Sequence, residues 1–391
     1  MRSGGVGKKF AATLEPVRVA WPIFVVHVLF VLTAGVLWQH YFGTVSHTVT
    51  PKRFGTFIAG LSHWDAKWFL QVAKNGYVRS NPDMAAFFPL FPMTMGVMGH
   101  LLSSLAHLGS VGPHKPPGDR AYFLAGIAIS NVSFFIALVG LYIVARQHRT
   151  PRQAARGLWL LALFPSSYYF SAAYSESMFL MLIVFAFVCA YKNRWLWAAI
   201  LMGLAALCWD LGVFGIFSLL WLVWRDFRIH RRVMKFFGRA LEVSVIPVAL
   251  FSAYPLWLEH VFGNPLMFVW AEEHHWHRHF TFIWTSLHED YYHDPLGLVA
   301  SILFLAILLA ATGRLPLEQW LFSAFVLLIP LFSSAGTYPM SMVRFVLMAF
   351  PLFLFVGASI RKVETYFAVI VACAVFMAWL TGLFASGHWI A

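Results

Sequence analysis

The chain has 391 residues and a formal net charge of +12, and 60% of its residues are hydrophobic while only 11% are charged. Soluble domains carry roughly 25% charged residues, so this composition excludes a water-soluble globular protein and predicts one that lives in a bilayer. The positive charge does not indicate nucleic acid as a partner, because Lys and Arg concentrate in short connections between apolar runs, where membrane topology accounts for them.

The first apolar run, residues 19–41, is long enough to cross a bilayer and follows a basic N-terminus. We therefore predict a signal anchor that is not cleaved, with its basic side inside. The next segment, residues 43–120, is called the first outer loop, because one crossing separates it from the N-terminus. Positive-inside statistics disfavour Lys and Arg on the outer side of the membrane. We therefore explain the cations of this loop by contacts to an anionic ligand. These cations are Lys52, Arg53, Lys67, Lys74 and Arg79.

Within the first outer loop, the apolar stretch 85–108 is broken by prolines and glycines. The later basic clusters all lie on the cytoplasmic side only if this stretch does not cross the bilayer. We therefore predict that it lies in the outer membrane–water interface. Residues 263–294, the second outer loop, are rich in His and carboxylates and by the same parity lie on the side of the first outer loop.

The remaining apolar runs predict further membrane spans. These are at about 121–145, 154–170, 174–191, 241–262, 295–312, 317–333, 341–359 and 365–385. Two shorter runs, 195–207 and 211–224, are either two crossings or one long tilted helix. The predicted fold class is an all-α polytopic membrane protein of about eleven transmembrane helices plus interfacial helices, with residues 1–391 forming a single integral membrane domain.

Four motifs follow one another between about residues 60 and 355. They are Trp64-Asp65 with Gly76-Tyr77 and AFFPLFP at 86–92, LFPSSYYFSAAYSES at 163–177, GNPLMF at 263–268 with Ala271 and Trp276, and Arg344-Phe345 with FPLF at 350–353. In this order the chain resembles the PIG-V type mannosyltransferases, GT-C membrane glycosyltransferases that add the second mannose during GPI-anchor assembly. It departs from them at residues 208–212, CWDLG, where the family shows Thr-Arg before a Gly, so the role of that Arg is not carried over.

The resemblance implies an inverting transfer of a sugar, most often mannose in this family, from a polyprenyl-phosphate donor to a lipid-linked or glycan acceptor at the outer membrane face. A hydroxyl attacks poorly unless a positioned carboxylate takes its proton, and Asp65 is the candidate base. The alternative for Asp65 is an N-cap of an interfacial helix. Arg344, with Lys67, is the candidate for holding the donor phosphate, the alternative being an Arg that snorkels at a helix end.

Binding of the acceptor or the sugar is assigned to Trp64, Tyr174, Glu176, His274, His275, Trp276 and His277. Glu176 binds sugar hydroxyls, pairs with Arg344, or is simply an acid favoured at a helix N-terminus. Asp210 either caps a helix or lines the cavity. We expect no metal or other cofactor, because the His-rich second outer loop has no HExxH spacing, although a divalent ion is the alternative. Two other functions stay open, a lipid or solute transporter and an intramembrane metalloprotease.

Overall fold

The computed structural model describes residues 4–44, 60–106, 118–334 and 341–390, with side chains from residue 14 onward. Of the first outer loop, residues 45–59, with Lys52 and Arg53, and residues 107–117 lie outside this description. The described helices are α1 (Gly4–Phe42), α2 (Asp65–Asn75), α3 (Leu90–Ala106), α4 (Asp119–Ala145), α5 (Pro151–Ala162), α6 (Glu176–Tyr191), α7 (Trp195–Cys208), α8 (Gly215–His230), α9 (Val233–Phe262), α10 (Met267–His275), α11 (Ile283–His293), α12 (Pro295–Ala311), α13 (Leu317–Leu331), α14 (Met342–Met348), α15 (Phe350–Ser359) and α16 (Val363–Ala385).

Three short 3-10 helices, Pro82–Ala86, Ser167–Phe170 and Asp210–Phe214, interrupt this series. The strands β1 (His279–Phe280) and β2 (Ser333–Ser334) form one antiparallel pair, in which His279 faces Ser334. The predicted all-α fold class is therefore confirmed. The β pair joins the second outer loop to the end of α13.

The predicted number of about eleven transmembrane helices is not confirmed. Four described helical segments are long and apolar enough to cross a bilayer unaided, namely residues 14–42 of α1 and the whole of α4, α9 and α16. The pair α14 and α15 passes the same test together but is bent by 73°. The apolar helices α3, α6, α7, α12 and α13 have at most 17 residues, against the roughly 20 that a perpendicular crossing needs.

One span prediction is wrong in detail, and one of the two alternatives for residues 195–224 is excluded. Residues 154–170 do not form one helix, because Pro165 cannot continue α5 and the Ser167 hydroxyl donates to the Ala162 carbonyl at 2.9 Å, which satisfies one of the freed acceptors. Residues 195–224 are not one long helix either. Trp209 is extended, with φ −161° and ψ 131°, and it separates α7 from the 3-10 turn that leads into α8.

The irregular segment between α5 and α6, residues 163–175, is held by polar contacts from neighbouring helices. His27 of α1 lies between the Ala162 carbonyl at 2.7 Å and the Ser171 hydroxyl at 3.1 Å. Ser130 of α4 donates to the Tyr174 carbonyl at 2.9 Å. Non-helical backbone at membrane depth is tolerated only where the protein satisfies its polar groups, and these bonds do so. They fix the segment that carries two tyrosines into the site described below.

The contact between α5 and α15 depends on two glycines. A Cβ placed on Gly357 would lie 2.5 Å from the backbone nitrogen of Gly157, and a backbone atom cannot move aside as a side chain can. We predict that Gly357→Ala lowers the stability by about 1–3 kcal/mol through overpacking, seen as a lower melting temperature of purified protein in detergent. Gly238→Ala on α9 is the control, because its Cβ meets nothing within 4 Å. Equal melting temperatures for the two variants would contradict this close contact.

Candidate functional site

Asp65 is the first residue of α2, and the turn before it is strained. Trp64 has φ 56° and ψ −116°, a region that residues other than glycine rarely adopt. The hydroxyl of Tyr174 holds this turn, since it accepts from the Asp65 backbone N–H at 3.2 Å and donates to the His63 carbonyl at 3.1 Å. The N-cap alternative for Asp65 is wrong, because Trp64 occupies that position and Asp65 stands inside the helix.

Arg344 joins Asp65 to Glu176. Its Nη1 donates to Asp65 Oδ2 at 2.6 Å, while Nε and Nη2 lie 2.8 Å and 2.7 Å from Glu176 Oε1. The guanidinium also lies over the rings of Tyr169 and Tyr174, at 5.2 Å and 4.9 Å from their centroids. The snorkelling alternative is therefore wrong, because only 11% of the Arg344 side chain is exposed and the guanidinium is bound inside the protein.

Glu176 faces Arg344 and not open space. Its side chain is 0% exposed, and its Oε2 has no hydrogen-bond partner among the described residues. One guanidinium thus serves two carboxylates, which leaves the trio with one negative charge when both acids are ionised. Because charges interact more strongly at low dielectric, each member of the trio strongly constrains the position of the other two.

A cavity of about 590 Å³ opens in front of Asp65 and Arg344. Its walls carry five tryptophans, which are Trp64, Trp68, Trp209, Trp276 and Trp389. Lys67 also lines the cavity, and within the described part of the chain its ammonium has no carboxylate partner. Ligand sites are typically apolar and aromatic with a few well-placed polar groups, which is the composition found here. Residues of both segments that were predicted to be outer loops contribute to the wall.

A second cavity, of about 730 Å³, adjoins the first and is mostly apolar. The two cavities share Glu272 and Arg278, whose Oε2 and Nη1 are 3.1 Å apart. Arg278 Nε has no hydrogen-bond partner among the described residues, and burial raises the pKa of Glu272 above its usual value. Asp210 lines the second cavity, as one of its two alternatives stated. The cap alternative is wrong, because Trp209 occupies the N-cap position of the 3-10 helix and the Asp210 carboxylate accepts from the adjacent Leu211 N–H, at 2.9 Å.

The histidines of the second outer loop separate into two groups. His275 lies in the wall of the first cavity beside Trp276, and its Nδ1 is 3.0 Å from Asp83 Oδ2. His274 stacks on Trp270 at 4.1 Å, and neither His274 nor His277 is in the cavity wall, so their binding roles stay predictions without a contact to it. The described residues contain no group of three or more His, Cys, Asp or Glu arranged to hold a metal ion.

Sequence reasoning missed several residues of the wall. Glu272 and Arg278 were visible only as members of a polar loop, although a cation in an outer loop is the same signal that singled out Arg344. Trp389 gave no signal at all, since it reaches the cavity only because α16 returns to α1. There the Trp64 Nε1–H donates to the His388 carbonyl at 3.3 Å, and the rings of Trp64 and Trp389 are 5.1 Å apart.

Comparisons with known proteins address the identity of the chain. A family model described as Mannosyltransferase (PIG-V) matches residues 24–255. The human GPI alpha-1,6-mannosyltransferase 2 is 33% identical over 147 residues, which cover 37% of this chain but only 28% of the human protein. The Caenorhabditis elegans GPI mannosyltransferase pigv-1 is 27% identical over 176 residues, 43% of this chain and 26% of the relative. The alignments thus span less than a third of the relatives' own length.

Two solved structures are also similar to the chain. The apo form of the Archaeoglobus fulgidus oligosaccharyltransferase matches with a TM-score of 0.44 and 14% identity, covering 94% of this chain and 55% of that one. ArnT from Cupriavidus metallidurans, bound to undecaprenyl phosphate, matches with a TM-score of 0.47 and 16% identity, covering 89% and 62%.

The shared guanidinium generates a prediction about stability. Replacing Arg344 with Met leaves the buried Glu176 and the partly buried Asp65 without a counter-charge, and breaking a buried ion pair typically costs about 3–5 kcal/mol. We expect a marked fall in the melting temperature of Arg344→Met in detergent. The triple variant Asp65→Asn/Glu176→Gln/Arg344→Met removes all three charges and should recover most of that loss. A triple variant no more stable than Arg344→Met would show that the charges are not the cause.

Proposed function

This chain belongs to the mannosyltransferase (PIG-V) family, whose model matches residues 24–255 of 391, and from that premise we propose that it transfers mannose from a polyprenyl-phosphate-mannose donor to a lipid-linked or glycan acceptor. Membership of this family includes the GT-C class of membrane glycosyltransferases that the sequence motifs implied. The observation that carries the proposal is Asp65, held by Arg344 and exposed to a tryptophan-lined cavity.

In the proposed reaction the acceptor hydroxyl oxygen attacks the anomeric carbon of the donor in a single inverting displacement. The bond from that carbon to the phosphate oxygen breaks, its electron pair stays on the phosphate, and Asp65 takes the hydroxyl proton. Asp65 Oδ2 is bonded to Arg344, whereas Oδ1 has no donor among the described residues, which leaves it for the acceptor hydroxyl. Arg344 and Tyr174 position Asp65, from its side chain and its backbone N–H respectively.

The departing phosphate needs a cation, and Lys67 suits this role better than Arg344. Arg344 is already shared between two carboxylates, whereas the ammonium of Lys67 lines the cavity without one in the described part of the chain. Charge-assisted bonds to a phosphate are about twice as strong as neutral ones, and they are most effective where water is largely excluded. In this mechanism Lys67 therefore binds the phosphate, and Arg344 supports it mainly by orienting Asp65.

The apolar chain of a lipid substrate is assigned to the second cavity, which adjoins the first through Trp209 and Phe345. We place the site on the extracytoplasmic face. The basic turn of residues 192–194 follows the helix that begins at Glu176, and that of residues 361–362 follows α15, the helix after the one that carries Arg344. Basic turns favour the cytoplasmic side.

The role of Asp65 is tested with Asp65→Asn, which keeps the shape and removes the base. We expect transfer of radiolabelled mannose from polyprenyl-phosphate-mannose by purified enzyme to fall at least 100-fold, because a positioned general base contributes about 10²–10⁴-fold. Asp119→Asn is the matched control, since Asp119 is 38% exposed and pairs with Lys74 outside the cavity. Turnover retained by Asp65→Asn would remove Asp65 from the mechanism.

The proposal that Lys67 binds the donor phosphate is tested by comparing it with Lys74, a second lysine on α2. Lys67→Gln should raise the KM for the donor by on the order of 10-fold with a smaller effect on kcat, because a hydrogen bond to a charged group contributes about 1.5–3 kcal/mol. Lys74→Gln, also on α2 but paired with Asp119, should leave the KM unchanged. If the two variants behave alike, the phosphate is not bound by Lys67.

A further inference from the structure

A further cavity, of about 550 Å³, lies at the end of the bundle opposite Asp65. Helix α6 starts at Glu176 in the catalytic site and ends at Tyr191, about 24 Å away at 1.5 Å per residue. Helix α7 runs back from Trp195 to Cys208. Trp195 lies in the wall of this further cavity, and Cys208 lies in the wall of the first cavity, beside Asp65. The opposite cavity, as we call it, is thus separate from the catalytic site and plays no part in the proposed transfer.

The wall of the opposite cavity has an excess of positive charge. It contains the cations Arg194, Lys235 and Arg239 and one carboxylate, Glu242. Arg239 is already paired with Asp226. In the described part of the chain Arg194 and Lys235 have no carboxylate within ion-pair distance, and both are exposed. These two cations are therefore available to an anion from outside the protein.

A buried donor in the same wall also lacks an acceptor. Trp195 is only 6% exposed, and among the described residues nothing accepts from its Nε1. The Arg239 guanidinium lies 5.4 Å from the centroid of its ring, so a cation and an N–H donor stand side by side. An unmade hydrogen bond of a buried group costs free energy, so an oxygen acceptor that reached this N–H would be stabilised.

The rim of the opposite cavity is apolar and exposed. Leu196 and Trp197 in its wall are 48% and 57% exposed. A soluble phosphate ion gains nothing from such a rim. A lipid presents a phosphate to the cations and an acyl chain to these side chains, so this combination favours a lipid.

We propose that the opposite cavity binds the phosphate head group of an anionic membrane lipid, with Arg194 and Lys235 as its principal ligands. Basic pockets between membrane helices on the cytoplasmic side are suited to anionic head groups, and each nearby Lys or Arg contributes appreciably to binding. The lipid bridges the α6–α7 turn and the start of α9, and it thereby supports the two helices that reach the catalytic cavity from this end.

The experiment uses full-length protein, purified in detergent and stripped of lipid, which is titrated with phosphatidylglycerol while native mass spectrometry counts bound lipids. Arg194→Gln/Lys235→Gln should weaken binding by on the order of 10-fold or more. The matched control is Arg361→Gln/Lys362→Gln, which removes one Arg and one Lys, both exposed, from the same end of the bundle. Melting temperatures within error of the unchanged protein confirm that both variants fold.

Selective loss of phosphatidylglycerol from the first variant, with little binding of phosphatidylcholine to either, supports the proposal. An equal loss in both variants would mean that general membrane electrostatics holds the lipid, and no loss in either would mean that these cations do not bind it. Glycerol phosphate bound as tightly as phosphatidylglycerol would make the opposite cavity a site for soluble phosphates. Each of these three results overturns the proposal.

Discussion

The structure of the site depends on one guanidinium shared by two carboxylates. Asp65, Glu176 and Arg344 come from α2, α6 and α14, and only the fold of the whole chain brings them together. Because removing Arg344 would leave both carboxylates without a counter-charge in a poorly hydrated interior, the three segments are constrained to a single arrangement. The cavity wall is built on that arrangement, since Asp65 and Arg344 form part of it while Glu176 supports them from behind.

Irregular backbone is the means by which these groups meet. Trp64 and Ser341, which directly precede α2 and α14, both have positive φ, and the segment 163–175 has no long helix. Each of these features breaks a local rule, and each is compensated by a specific contact, such as the two hydrogen bonds of the Tyr174 hydroxyl. Backbone strain of this kind persists only where surrounding contacts hold the residue in place, and it is typical of functional sites. There it keeps a functional group in one productive orientation.

Much of the fold and the centre of the site could be predicted from the sequence. The apolar runs gave the helical class, and a carboxylate and an arginine in unexpected places indicated Asp65 and Arg344. The interruption after Ala162 was missed because the hydrophobic pattern continues through it, although Pro165 gave a local signal. The break at Trp209 was one of the two alternatives that the sequence left open. Trp389 could not be assigned, because its place depends on tertiary packing that no local pattern encodes, whereas Arg278 had the signal of a cation in an outer loop and was not singled out.

The pairing of Arg344 changes what the site needs for a phosphorylated substrate. With Asp65 and Glu176 ionised, the trio has one net negative charge, so a phosphate that approaches it is repelled unless further cations take part. Lys67 and Arg278 line the same cavity, and Arg278 pairs with Glu272, whose side chain is 32% exposed. The same cavity is lined by tryptophans, so a sugar phosphate bound to these cations would have aromatic faces available for its sugar.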